Sequence, residues 1–312
     1  MARQRTRART RTDRSTVSRR RFIGTATAAT GAVLGLCGPA SASGDDAFPP
    51  KDNTEWGDPV TLGNGEARTF TTVAPSGRPA SHGLLIERAA LEGLPSADDL
   101  ARSGDDAYTD KYGPTGESVV IHHRWSQAFF VPIPATAATP MTFLGLNWNP
   151  DGHPPAGVWT EPHFDVHFHM CSPETVDAIA GPAAPTYDLP ERYVPEGYAR
   201  GPVVDERVIT DMGEHLIDPT VPELNGGTFT NTLIWGVADP DDDGTGVLTF
   251  VEPMLTRAYV RDHVGIDRRP IAQPETDAGA GVYPTTYAVR DVPDRDAVAV
   301  TIADFEPVSG GN

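Results

Sequence analysis

The stretch His163-Phe164-Asp165-Val166-His167-Phe168-His169 alternates imidazole or carboxylate with apolar side chains. In an extended chain successive side chains point to opposite faces, so this pattern predicts a β-strand with four potential ligands or proton carriers on one face and a hydrophobic seam on the other. Same-face neighbours stand roughly 6.6 to 7 Å apart, so Asp165 and His167, or His167 and His169, can converge on one ion. His163 and His169 can meet only across a bulge. Further on, Leu248, Phe250 and Glu252 share one phase of a second β-type run, which turns Glu252 inward with its apolar neighbours. A buried carboxylate needs a metal, a histidine or Arg257 beside it. In Met212-Gly213-Glu214-His215, Gly213 permits a turn that aims His215 inward; a surface loop is the plainer alternative.

These residues make a mixed nitrogen and oxygen donor set of the kind that suits one divalent transition metal such as Zn, Fe or Mn. The expected ligands are His167, His215 and Glu252, with His163 fourth if the strand bulges and Asp165 in its place otherwise. His169 is the reserve, and Asp165 and His169 are the expected catalytic proton carriers. The competing reading is a strand whose histidines face solvent while its phenylalanines pack beneath.

Other polar groups carry less. Asp239-Pro240-Asp241-Asp242-Asp243-Gly244 matches the start of a calcium loop, but the twelfth position is Phe250, which cannot ligate, so an aspartate-rich hairpin turn is expected instead of a Ca site. His122 and His123 are adjacent and point opposite ways on a strand, which argues against a shared ion. His153, in Asp151-Gly152-His153-Pro154, sits in a turn before the key strand, where it gates a pocket or faces water, and water is the plainer reading. No Gly-x-Ser-x-Gly elbow supports a serine hydrolase.

Three segments, Pro162-His163-Phe164-Asp165-Val166-His167-Phe168, Met212-Gly213-Glu214-His215 and Glu252-Pro253-Met254-Leu255-Thr256, occur in that order, and Leu146 to His153 leads into the first. In this the chain resembles a family of exported bacterial and archaeal proteins classed as a domain of unknown function, over about residues 57–260. His169 stands where many relatives carry tyrosine, and the resemblance implies no reaction. The ligand types also resemble those of cupins, small β-barrels with a His-x-His strand, a glutamate and a later histidine. Here His215 precedes Glu252 and the cupin glycine framework is missing.

The elements that must position these groups are mostly strands. Short β-type runs over 59–62, 68–73, 82–87, 118–122, 128–133, 141–148, 163–170, 228–237, 247–252 and 298–302 lie between glycine and proline punctuation. That density predicts an all-β sandwich or small β-barrel with one or two short helices, over residues 58–305 as a single domain. Ser172-Pro173-Glu174 starts one helix, with serine as cap and proline in the first turn, which Gly181 ends; residues 96–102 form another. Residues 182–202 hold five prolines interleaved with Tyr187, Tyr193 and Tyr198, and predict an extended surface strap.

Ser18-Arg19-Arg20-Arg21-Phe22-Ile23, a weakly apolar run to Cys37 and the small residues Pro39 to Ala42 have the layout of a twin-arginine export signal over residues 1–42. The run is too short for a stable membrane span. Residues 43–57 read as a flexible acidic leader and 306–312 as a tail. Net charge is −18, and cleavage after Ala42 removes nine arginines against one aspartate, leaving a mature chain acidic enough to repel nucleic acid and to suit a high-salt, extracellular or cell-surface setting. Cleavage also removes Cys37, leaving Cys171 alone, so a hydrophobic core and not a disulfide must hold the mature fold. Two readings follow: a metal-assisted hydrolase, hydratase or oxygen-using protein acting on a small molecule, or a non-catalytic secreted module that binds a partner or self-associates as a homo-oligomer, with a structural metal or none.

Overall fold

A computed structural model describes residues 47–103, 107–134, 139–276 and 282–307. The expected export signal over 1–42, Cys37 within it, the first residues of the expected leader and the last of the tail lie outside the described residues. In chain order come β1 (Thr54–Leu62), β2 (Gly65–Val73), β3 (Pro79–Glu87), α1 (Ala97–Arg102), β4 (Thr109–Asp110), β5 (Gly116–Ile121), β6 (Arg124–Pro132), β7 (Phe143–Asn149) and β8 (His163–His169). After α2 (Pro173–Asp177) follow β9 (Ala199–Arg200), β10 (Val208–Ile209), β11 (Gly213–Ile217), β12 (Asn231–Ala238), β13 (Val247–Thr256), α3 (Arg257–Asp262), β14 (Ile266–Pro270), β15 (Val282–Val292) and β16 (Ala297–Pro307).

The strands pair antiparallel in two sheets, a six-stranded one in the order β1-β2-β3-β16-β15-β14 and a ten-stranded one in the order β10-β11-β12-β13-β8-β7-β6-β5-β4, with β9 on β11. Neither closes on itself among the described residues, so the architecture is a sandwich and not a barrel. The main core lies between the sheets. Leu84, Ile86, Val298, Val300 and Ile302 from the small sheet meet Leu144, Leu146, Phe164, Val166, Phe168, Trp235 and Val251 from the large one. Burying each such side chain contributes about 1.5 to 3 kcal/mol, and this apolar seam fixes the phase of β8.

The opposite face of the large sheet is buried too. A second cluster, Trp159, Ile209, Met212, Phe229, Ile234, Phe250 and Met254, packs there beneath connecting segments. His122, at the β5–β6 turn, lies 5.7 Å from His215 of β11 between ring centroids. Six strand spacings separate β5 from β11 in the sheet, about 29 Å if it were flat. The large sheet therefore curls over its own outer face and encloses it.

Helices are short; the Ser172 cap is the one the sequence predicts, and α3 is a third helix beyond the two expected. Ser96 and Asp99 form a reciprocal capping box on α1, and Ser172 accepts from Thr175 N on α2. α2 ends at Asp177 and not at Gly181, and α3, which Thr256 caps, follows β13 without a loop. β1 begins at Thr54, earlier than the expected boundary at Asp58, and Phe48 and Trp56 pack on Phe70, so part of the acidic leader belongs to the fold. β16 likewise runs on to Pro307. The proline-rich strap lies over the large sheet, where Tyr187 and Tyr198 donate hydrogen bonds to the carbonyls of Val237 and Leu233.

Candidate functional site

All seven residues of β8 are buried, including His163, Asp165, His167 and His169, so the histidines do not face solvent. β8 is central, between β7 and β13, and pairs with β7 in unbroken register from Asn149↔His163 to Phe143↔His169. No bulge interrupts it. Without one, His163 lies about 13 Å along the strand from His167 and cannot share its ion. The polar face divides accordingly into two groups of potential ligands, His167 with His215 and Glu252, and His163 with Asp165 and His153.

The first group draws on three strands. Glu252 of β13 lies beside β8 between the pairs Phe250↔His169 and Met254↔Asp165, which places it across from His167. His215 arrives on β11, which Gly213 enters at φ 108°, a backbone conformation only glycine adopts readily. His167 Nε2 is 3.4 Å from Glu252 Oε1, and His215 Nε2 is 3.6 Å from Glu252 Oε2. Donors at about 2.0 to 2.1 Å from a tetrahedral ion stand about 3.4 Å from each other, so these spacings suit ligands of one metal.

The second group is oriented by the backbone. His163 Nδ1 is 2.7 Å from the Glu161 carbonyl and His153 Nδ1 is 2.9 Å from the Pro154 carbonyl. A carbonyl only accepts, so each Nδ1 carries a proton there, and each ring turns its Nε2 to the other side. Both Nε2 atoms face Asp165, at 3.1 Å from His163 and 3.7 Å from His153. Asn149 Nδ2 donates to Asp165 Oδ2 at 2.7 Å and holds the carboxylate in place.

Buried polar atoms without hydrogen-bond partners gather here. Among the described residues they include both ring nitrogens of His167, Nδ1 of His169 and His215, Nε2 of His163, Oδ1 of Asp165 and Oε2 of Glu252. Each such atom costs about 1 to 3 kcal/mol unless something pairs with it. His163 Nε2 and Asp165 Oδ1 are close but misaligned for a hydrogen bond, and so both remain in this set. A cation in each group would pair Nε2 of His167 and His163, Oδ1 of Asp165 and Oε2 of Glu252, and would leave the three Nδ1 atoms as they are.

Electrostatics separates the two carboxylates. Burial pushes Glu252 well above the usual carboxylate range, and the charge of Asp165 adds to that, so Glu252 is held protonated. Burial acts the same way on Asp165, but His163 and His153 outweigh it and keep Asp165 well below its ordinary value. Burial pushes the imidazoles of His167 and His215 down to about 4 and about 3, and that of His169 well below its usual value. These three rings are neutral near pH 7, the form that binds metal.

A cavity of about 170 Å³ reaches the first group from outside, lined by His122, His153, His215, Glu252, Trp159 and Arg207, with Ile209, Ile234 and Met254 as apolar wall. His122, at φ 50°, stacks on His153 at 4.4 Å between centroids and bridges the two groups. The expected proton carriers sit elsewhere. His169 is packed against Phe143 and Phe250 away from the cavity, and Asp165 lies in the second group. His153 and His122 join the site through tertiary folding alone; the only sequence signal for either is a histidine next to a turn. The Asp239 carboxylate accepts from the backbone N–H groups of Asp243 and Gly244 within the β12–β13 hairpin turn. No family model, curated protein or solved structure matches the chain.

Proposed function

We propose that this chain is an exported metalloprotein that holds one divalent transition ion with His167, His215 and Glu252 and admits a small molecule to it through the adjoining cavity. The observation that carries the reading is the convergence of two neutral imidazoles and a carboxylate at metal-ligand spacing inside a buried face, with Nε2 of His167 and Oε2 of Glu252 unpaired. Their cost without a cation gives the fold a reason to take one up. Zn, Fe or Mn would supply a Lewis acid that polarises a bound water, carbonyl or oxygen molecule.

The protein's own groups then have distinct tasks. His167 and His215 would hold such an ion through their neutral rings, and Glu252 would give up its proton to join them. His122, half-buried on the cavity wall beside His215, has a pKa that burial holds well below its usual value, so it faces a bound molecule as a neutral hydrogen-bond partner. Trp159, Ile234 and Met254 limit water, and Arg207, at the rim with Glu206, is the cation an anionic small molecule would meet.

Metal analysis of the folded protein tests this. Wild type is expected to carry metal that His167→Ala loses, with X-ray absorption detecting a non-protein ligand on the ion. Equal metal in both proteins refutes the assignment. A sphere filled by protein ligands alone would favour a structural ion in a non-catalytic module.

A further inference from the structure

We infer that a second divalent transition cation is held by His153, His163 and Asp165, and that it pins the segment covering the large sheet onto β8. This inference does not depend on the first metal, because the two groups share no ligand.

His163 and Asp165 are same-face neighbours on a rigid central strand, and both are buried, at 0% and 2% exposure. His153 comes from the segment between β7 and β8 and is buried as well. Backbone carbonyls take Nδ1 of both rings and so present Nε2 of each to Asp165, the outer-shell arrangement that fixes metal-binding histidines. Asn149 occupies Asp165 Oδ2, while Oδ1 and His163 Nε2 are left without hydrogen-bond partners. The donor set of two imidazoles and one carboxylate is that of zinc-type ions.

The covering segment gains from such an ion. His153 N donates to the Trp159 carbonyl at 2.8 Å, so a bond from His153 to an ion on β8 also fixes Trp159, which walls the cavity. The competing arrangement is a direct imidazolium–carboxylate pair between His163 and Asp165 with no ion, which a small rotation would allow.

The test uses the full chain, stripped with chelator and reloaded with Zn²⁺ alone. Wild type is expected to take up two zinc ions per chain, His163→Ala one, and His167→Ala one. Hydrogen exchange of residues 150–162 should slow on zinc addition in wild type and in His167→Ala, but not in His163→Ala. Zinc uptake and protection unchanged by His163→Ala overturn the inference and favour the ion pair. Should a variant fail to fold, anomalous diffraction at the zinc edge from wild-type crystals locates the ions independently. Peaks at both groups support both sites, a peak only among His167, His215 and Glu252 refutes the second site alone, and a peak only among His153, His163 and Asp165 refutes the first reading alone.

Discussion

At the scale of single residues the site turns on what burial does to charge. Glu252 is held protonated while His167 and His215 are neutral well below pH 7, so metal binding at this group should displace a proton from the carboxyl and none from the rings. Zinc titration of wild type near pH 6 in buffers of different ionisation enthalpy is expected to reveal about one proton released there. Glu252→Gln keeps the shape but has no acidic proton to lose, and should bind zinc at least tenfold more weakly with that release gone. A release unchanged by Glu252→Gln would assign the proton elsewhere. Much of this residue set is legible in the sequence, because alternation in β8 and the phase of Leu248, Phe250 and Glu252 are local properties. His153 is not. Nothing near it in sequence says that the segment after Asn149 folds back over β8, and so His163 and Asp165 read as companions of His167 until the unbroken register separates them.

At the scale of elements, β12 shows how closely the support is packed. Gly236 faces Phe250, and a Cβ added there would lie 2.0 Å from the ring. Phe250 in turn lies 4.9, 5.1 and 5.3 Å from the rings of His167, His169 and His215. Gly236→Ala should therefore cost about 1 to 3 kcal/mol by overpacking and loosen zinc binding without touching a ligand. Thermal unfolding and zinc titration of that variant check both effects, and wild-type values in both would show that Phe250 has room to move. Strands with a compact β-type run between clean turn signals, such as β2, β6 and β16, could be read in part, over residues 68–73, 128–133 and 298–302. β15 could not, because Pro284 and Thr285-Thr286 interrupt its alternation with a residue that usually marks an edge or a loop. β11 escaped for a different reason: Glu214 and Leu216 share its core-side face, Glu214 being paired with Arg200, so its sequence carries no apolar rhythm.

At the scale of the whole molecule, buried histidines in both sheets couple folding to acid. His82, on β3, sits between the hydroxyls of Thr71 and Thr139, and burial pushes its pKa down from 6.5 to about 4. The unfolded chain takes up this proton first, so the stabilising contribution is full above about pH 6.5 and is lost as pH falls towards about 4. His167 and His215 act with the same sign in metal-free protein, whereas Glu252, with its raised pKa, acts with the opposite sign and loses its contribution as pH rises. His82 is best read by difference. Denaturant unfolding with chelator near pH 7 and near pH 5 should cost wild type about 2 kcal/mol more than His82→Gln. Identical pH slopes would mean that His82 is already charged in the fold.

The neighbouring positions of β3 and β16 carry a consequence for how the protein is made. Glu87 pairs with Ala297, far along the chain, so the smaller sheet gains its middle only after the whole of the large sheet has been made. Until then Leu84 and Ile86 lack partners on one flank, and half of the main core has no floor. Pairings this distant are slow to close because the intervening chain must first be brought to order. A ribosome that stalls before Ala297 should thus release an aggregation-prone fragment, not a shortened but working protein.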